Sequence, residues 1–366
     1  MKIAFYAPMK SPDHPTPSGD RRMARLFMQA LSNAGYEVEL ASSFRSFDKN
    51  GDAEFQEKVR LSAHQEAQKL IAKYEGAGPD ERPALWFSYH LYHKAPDWIG
   101  PIVSDALDIP YFVAEASHAP KQDGGPWASG YSAAATTISN ADRIFHMTRL
   151  DGACLEPLAK SSETLVYLPP FIENLTTERV IERGSRSKVN LLSVAMMRDG
   201  DKFQSFCQLA EVLEYLEGED WQLLIAGDGE KRADVEKLFA RFGDRITYLG
   251  RLEEAELIKT YERSDIYVWP AHGEAFGMAF LEAARAGLPV VAGNLRGVPD
   301  VVMDSRTGLL SPVGDMKIFA DHVRTLIDDP ALRLKMGDEG QRFVREERSL
   351  KATSSALKSH VEKVIL

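Results

Sequence analysis

Short apolar runs alternate with longer amphipathic stretches along nearly the whole chain, and this pattern is laid down twice. Lys2 to Pro8 reads as a buried strand, followed by the loop SPDHPTPSGD. From Arg21 to Ala34 the apolar residues Met23, Leu26, Phe27, Ala30 and Leu31 fall on one face of a helix. Gly35 ends that helix, and Glu37 to Ser42 starts the next strand. A β-loop-α-β opening of this kind is the unit of a doubly wound parallel sheet. The alternation goes on through a polar helix at Asp52–Tyr74, a strand at Ala84–Tyr89, a helix at Ala95–Ser104 and a strand at Tyr111–Glu115. The loop SHAPKQDGGPWASG, two more helices and strands at Arg143–Met147 and Thr164–Leu168 follow, and Pro169-Pro170 stops this half.

Residues 174–187, NLTTERVIERGSRS, are polar with weak periodicity and read as a linker. The pattern then restarts. Strands are expected at Val189–Ala195, Gln222–Ala226, Ile246–Leu249, Ile266–Trp269 and Pro289–Ala292. Helices are expected at Phe203–Leu216, Lys231–Phe242, Glu254–Arg263 and Gly277–Ala286, with two or three more at the end. The fold class is therefore α/β: two Rossmann-like, doubly wound domains facing a central cleft. Open sheets of this type bind ligands at the carboxyl ends of their strands. A length of 366 residues suits two domains.

The formal net charge of −10 argues against a nucleic-acid binder, which would carry a basic stripe. Cys154 and Cys207 are far apart and form no metal-ligand pattern, so both read as reduced, buried thiols. The start MKIAFYAPMK is too short for a signal peptide, and no run of ~18 apolar residues follows. The expectation is a soluble or peripherally attached cytoplasmic protein.

The chemistry concentrates between Ser264 and Gly293, SDIYVWPAHGEAFGMAFLEAARAGLPVVAG. A strand ends at Pro270, and a helix starts near Gly277. The open N–H groups of Phe276, Gly277 and Met278 carry the positive end of the helix dipole and favour a diphosphate. Gly277 lets a ligand approach the backbone. Glu274 precedes the helix, and Glu282 lies ~7–8 Å along its axis. One acid suits the hydroxyls of a sugar beyond the phosphates, and the other suits a ribose diol. Taken alone, Glu274 is equally an ordinary first-turn acid and Glu282 an exposed helix residue.

This segment resembles the E-x7-E signature of the family 4 retaining glycosyltransferases, which have the GT-B fold. LLIAGDGEKRADVEKL, ITYLGRLEEAELIKTYERSDIYVWPA and GVPDVVMDSRTGLLSPVGD follow the family pattern in order and spacing. The resemblance implies an N-terminal acceptor domain at 1–173, the linker 174–187 and a C-terminal nucleotide-sugar domain at 188–348. It also implies a terminal helix at 349–366 that returns to the N-terminal domain. It assigns the donor sugar to Glu274, the donor ribose to Glu282, and sugar and diphosphate to the backbone from Ala275 and Phe276 to Gly277 and Met278. Arg198 and Lys202, in SVAMMRDGDKF, would neutralise the leaving diphosphate. The family's usual Gly-Arg pair is here Ala195-Met196, with the arginine two places later. The donor base would meet the backbone near Arg251 and Leu252.

In the N-terminal half the match is looser. Of the glycine pair relatives carry before the first helix, only Gly19 remains, so the loop Pro17–Asp20 reads either as a phosphate contact or as a simple N-cap by Ser18 or Asp20. His118 matches a histidine that faces the donor sugar near the reacting carbon. His90, Tyr92, His93 and Trp127 sit on loops that could line an acceptor site or be ordinary loop aromatics. Arg21, Arg22 and Arg25 read as a solvated helix face or, by the resemblance, as a contact for anionic membranes at the inner face of the cytoplasmic membrane.

Asp199-Gly200-Asp201 is set aside as a metal motif, and Asp48–Asp52 reads as a solvated turn, not a calcium loop. The implied reaction moves a hexose-type sugar from a UDP- or GDP-sugar to a lipid or saccharide hydroxyl, with retention and with no metal or cofactor. Alternatives on the same fold are a nucleotide-sugar epimerase or hydrolase and a non-catalytic sensor. A dehydrogenase is disfavoured, because no GxGxxG follows the first strand.

Overall fold

The computed structural model describes residues 1–16, 18–173 and 188–365, so the expected linker 174–187 lies outside the described residues. The chain divides into two compact units. One is Met1–Pro169 together with Leu350–Leu366, and the other is Pro170–Ser349. Each is built on a six-stranded parallel sheet.

Unit 1 contains β1 (Lys2–Tyr6), α1 (Gly19–Asn33), β2 (Glu37–Ser42), α2 (Ala53–Glu75), β3 (Pro83–Tyr89) and α3 (Gly100–Leu107). It continues with β4 (Tyr111–Ala114), α4 (Ala128–Asn140), β5 (Arg143–His146), α5 (Arg149–Leu155) and β6 (Leu165–Tyr167). The strand order is β2-β1-β3-β4-β5-β6. The chain steps outward from β1 to β2, returns past β1 to β3, and then winds the other way. The reversal leaves a topological switch point between the carboxyl ends of β1 and β3.

The central strands are covered on both faces, so they are apolar throughout. Phe5 stacks on Phe87 at 5.8 Å, and Phe87 on Phe145 at 6.1 Å. Each such pair adds about 0.5–1.5 kcal/mol beyond the area it buries. The stripe expected on α1 is the one buried: Met23, Leu26, Phe27, Ala30 and Leu31, with Ala24.

Three expectations are corrected. The helix expected from Ala95 starts at Gly100. Asp97 interrupts the pattern, because its buried carboxylate accepts from the N–H groups of Ile99 and Gly100, from the Tyr111 hydroxyl at 2.8 Å and from the Ser88 hydroxyl. The turn at Asp48 is not solvated. Asp48 is buried and accepts from the Asn50 and Asp52 N–H groups and from Gln56 Nε2. Burial raises its pKa, but these donors outweigh that and hold it below the usual value. Cys154 and Cys207 are free thiols, as expected, but Cys154 is exposed and Cys207 half-buried. Each lies off the fully buried stripe of its helix.

Unit 2 contains β7 (Val189–Val194), α6 (Asp201–Glu214), β8 (Trp221–Ala226), α7 (Arg232–Phe239), β9 (Ile246–Gly250) and α8 (Glu254–Glu262). It continues with β10 (Ile266–Trp269), α9 (Met278–Arg285), β11 (Val290–Gly293), β12 (Gly308–Ser311), α10 (Met316–Asp328) and α11 (Pro330–Glu347). The order is β12-β11-β10-β7-β8-β9, so the switch point lies between β7 and β10. Strand β12 was not expected from the sequence. The last helix, α12 (Leu350–Ile365), belongs to unit 1, where it packs against α1. Among the described residues no helix is long and apolar enough to cross a membrane.

Candidate functional site

At the switch point of unit 2, the segment after β7 leads into α6 and the segment after β10 leads into α9. Lys202, in the first turn of α6, forms an ion pair with the Glu274 carboxylate. The two side chains are only 19% and 17% exposed, so solvent screens the pair weakly. Lys202 Nζ also lies 5.6 Å from the centre of the Trp269 ring, at the end of β10.

The loop that carries Glu274 is held in a shape few residues can adopt. Gly273 has φ +66°, and a Cβ there would lie 2.2 Å from the Asp201 carboxylate. Gly277 has φ +78°, and a Cβ there would lie 2.7 Å from the Phe280 ring and 3.2 Å from Glu274 Cγ. Glycine is therefore required at the tip of α9, and the Glu274 stem lies against that tip. The N–H groups of Phe276, Gly277 and Met278 take no acceptor among the described residues. A cation, a carboxylate and three open backbone donors thus meet at one helix end.

Glu282 is not the exposed helix residue its sequence position allows. It is 7% exposed and accepts a 2.8 Å hydrogen bond from the Tyr261 hydroxyl. Tyr261 in turn stacks on Tyr267 of β10.

No hydrogen bond or ion pair among the described residues joins the other expected donor residues to this pair. Arg198 is exposed and has no side-chain partner among the described residues. Arg251 is exposed and Leu252 half-buried, just beyond β9. Ala275 is exposed, and its carbonyl accepts from Gly297 N–H at 2.8 Å.

At the switch point of unit 1 the groups are different. Asp20, in the first turn of α1, and His90, just past β3, are joined by an Oδ1···Nδ1 contact of 3.1 Å. Glu115, just past β4, accepts from the Tyr89 hydroxyl at 2.5 Å. Burial alone would lower the His90 pKa, but the Glu115 and Asp20 carboxylates outweigh it and hold it above its ordinary value. Burial raises Glu115, and burial against His90 leaves Asp20 lowered, the histidine winning. The sequence reading saw Asp20 only as a helix-cap candidate and Glu115 only as a strand end. The available signal was an acid in the first turn of the first helix and another just past a strand end.

The four residues expected at an acceptor site form a connected row of rings. His90 lies 5.2 Å from Tyr92, Tyr92 lies 5.2 Å from His93, and His93 lies 5.9 Å from Trp127. His118 is outside this row. It stacks on Tyr131 of α4 at 5.0 Å, and burial pushes its pKa down.

Gly19 is exposed and nothing crowds it, while the Ser18 hydroxyl accepts from Arg21 N–H. Of the two readings of that loop, the geometry supports the N-cap. Arg25 Nε donates to the Pro12 carbonyl at 2.8 Å, and Arg21 to that of Pro15 at 3.4 Å. Both guanidinium groups thus latch the β1–α1 loop. A groove of about 450 Å³ lined by His64, Trp98, Ile102 and Thr136 contains none of the expected site residues.

Residues 184–343 match the family model described as "Glycosyl transferases group 1". A GDP-mannose-dependent monoacylated alpha-(1-6)-phosphatidylinositol monomannoside mannosyltransferase from Corynebacterium glutamicum is 34% identical over 137 residues. That stretch is 36% of this chain and 36% of the relative, so the match spans little more than a third of the curated protein's length. Among solved structures, a sucrose-phosphate synthase from Thermosynechococcus elongatus superposes with a TM-score of 0.72 at 18% identity, covering 99% of this chain and 98% of that one. Anabaena HepE, in complex with UDP-glucose, superposes at 0.69 and 14%, covering 99% and 100%. At these identities the structural likeness is one of fold, and that fold is GT-B.

Proposed function

We propose that this chain, whose residues 184–343 match the group 1 glycosyltransferase model and whose fold is GT-B, is a family 4 type glycosyltransferase that transfers a hexose-type sugar from a UDP- or GDP-sugar to a hydroxyl group. Retention of anomeric configuration and independence of metal are part of the same reading. The observation that carries it is the Lys202–Glu274 pair set against the open N–H groups of Phe276, Gly277 and Met278.

With no donor bound, Lys202 and Glu274 neutralise each other. A bound diphosphate takes Lys202 and the three N–H groups, and the sugar hydroxyls take Glu274. As the glycosidic bond breaks, negative charge grows on the diphosphate, where fixed donors are worth most. Lys202 supplies the positive charge a divalent cation would otherwise bring. Arg198, exposed and with no side-chain partner, is available to close on the same phosphates. Glu282, held by Tyr261, would receive the ribose hydroxyls. The base would lie near Arg251 and Leu252. His118 would take the role the family resemblance implies, near the reacting carbon of the donor sugar. The departing diphosphate accepts the acceptor proton, so no side chain need act as nucleophile.

The relatives' names give a phosphatidylinositol monomannoside, D-inositol 3-phosphate and 2-deoxystreptamine as what those proteins act on, and the acceptor here is proposed to be a lipid or a saccharide. A lipid acceptor would bring the chain to the inner face of the cytoplasmic membrane. Two of the three arginines of α1 already donate to loop carbonyls, which leaves a less open basic face than the sequence suggested.

Calorimetric titration with UDP-glucose, UDP-galactose, UDP-N-acetylglucosamine and GDP-mannose tests the reading. Binding of at least one donor, unchanged by EDTA and lost in Glu274→Ala, is expected. Failure to bind any of the four overturns it.

A further inference from the structure

Asp20 and His90 sit where the sheet of unit 1 reverses its winding, the place where open α/β sheets receive ligands. We propose that Asp20 fixes the His90 ring, with Glu115 beside it on the neighbouring strand end, and that its Nε2 hydrogen-bonds a hydroxyl of an uncharged, polyhydroxylated acceptor. This rests on the transferase reading and deepens it, by naming the acceptor class and two positioning residues.

Four observations carry the proposal. His90 Nδ1 is engaged by Asp20 at 3.1 Å, which fixes the ring. Nε2 has no protein partner among the described residues and is not sealed from solvent. His90 and Glu115 both have left-handed backbones, with φ +59° and +55°, although neither is glycine. Such conformations persist where the surroundings enforce them, and they cluster at functional sites. Here the His90 N–H donates to the Ala114 carbonyl at 2.8 Å, and the Glu115 N–H to the Phe145 carbonyl at 2.9 Å. The two strained residues therefore sit on neighbouring strand ends, and the row of Tyr92, His93 and Trp127 extends from the same ring.

The charge around the ring selects the ligand. Asp20 faces it from α1, Glu115 from the end of β4 and Asp151 from α5. Lys10 is the cation whose charge acts on Asp20. The Tyr89 hydroxyl is taken by Glu115, and Asp151 accepts from the Thr148 hydroxyl at 2.6 Å. A phosphate or carboxylate arriving at Nε2 would be repelled by these carboxyl groups, and a neutral hydroxyl would not. The carboxyl groups hold the His90 pKa above its ordinary value, and a hydroxyl, being both donor and acceptor, can pair with Nε2 in either protonation state.

The test uses the full chain with nitrogen-15-labelled histidine and follows the imidazole nitrogens by NMR. The probes are n-octyl β-D-glucoside below its micellar concentration and inorganic phosphate. His90 is expected to titrate above an ordinary histidine, and its midpoint is expected to fall in Asp20→Asn and in Glu115→Gln. The glucoside should shift Nε2, and phosphate should not. His90→Asn keeps a residue that tolerates the left-handed backbone, so its fold should survive. That variant should lose about tenfold in glucoside affinity and bind UDP-glucose or GDP-mannose as the wild type does. The proposal is overturned by a His90 midpoint that ignores both carboxyl variants, by phosphate displacing the glucoside at Nε2, or by full glucoside affinity in His90→Asn. If the wild type bound no nucleotide sugar, the transferase reading would fail while the imidazole titration still stood or fell by itself.

Discussion

The two switch points occupy the same place in the same topology, yet they are made of different material. In unit 2 the geometry comes from backbone: two left-handed glycines bring a loop against a helix end and leave three N–H groups open. In unit 1 it comes from side chains: an acid in the first turn of α1 meets a histidine, and the histidine and a second acid are held on left-handed residues that are not glycine. Backbone donors suit a diphosphate, whose shape does not change between substrates. Side chains suit a variable partner, because they can be exchanged without rebuilding the turn. The difference teaches that one fold can assign a constant ligand to its main chain and a changeable one to its side chains.

The comparison breaks first at Lys202. Lys202→Ala should lower kcat for transfer or donor hydrolysis by about 100- to 1,000-fold, as does loss of a fixed donor to developing charge. A loss smaller than that of His90→Asn would move the weight of the chemistry to unit 1. Next comes Asp97→Ala. It strands the buried Ser88 and Tyr111 hydroxyls and the Ile99 and Gly100 N–H groups, which tie the segment after His90 to β3 and β4, and should cost about 3 kcal/mol in denaturant unfolding. If acceptor kinetics and stability were both untouched, side-chain support of that segment would be refuted.

Gly277→Ala sharpens the backbone half. It must strain a φ of +78° and push the Phe280 ring, so donor affinity should fall about tenfold. An unchanged dissociation constant by calorimetry would show that close approach at this tip is unimportant.

The smallest effect is in pH. The folded pKa of His90 lies above its ordinary 6.5, so the stability it contributes is complete below 6.5 and lost as pH rises through the raised value. That of Asp20 lies below its ordinary 3.8, so its contribution is complete above 3.8 and lost as pH falls through the lowered value. The melting difference between wild type and His90→Asn should therefore peak between pH 3.8 and 6.5, at less than about 1 kcal/mol. A difference that grew above neutrality would contradict the pair.

Most strands were legible because two-sided burial forces uninterrupted apolar runs, as in Ile266–Trp269. Strand β12 was not, since Gly308–Ser311 is a four-residue edge strand with only two leucines to mark it. The E-x7-E spacing located Glu274 and Glu282, but not that Lys202 closes on the first or that Tyr261 holds the second. Those contacts join segments far apart in sequence. Asp20 and Glu115 were hidden for a related reason: neither a left-handed backbone at a charged residue nor a contact between positions 20 and 90 leaves a local pattern.

Helix α12 has a consequence for biosynthesis. Its partner α1 leaves the ribosome early, but α12 is translated only after all of Pro170–Ser349. Through that interval the part of α1 that α12 will cover is open to water. The nascent first sheet must therefore wait, incompletely wrapped, while the second assembles, and this is when chaperone capture and aggregation compete most strongly with folding.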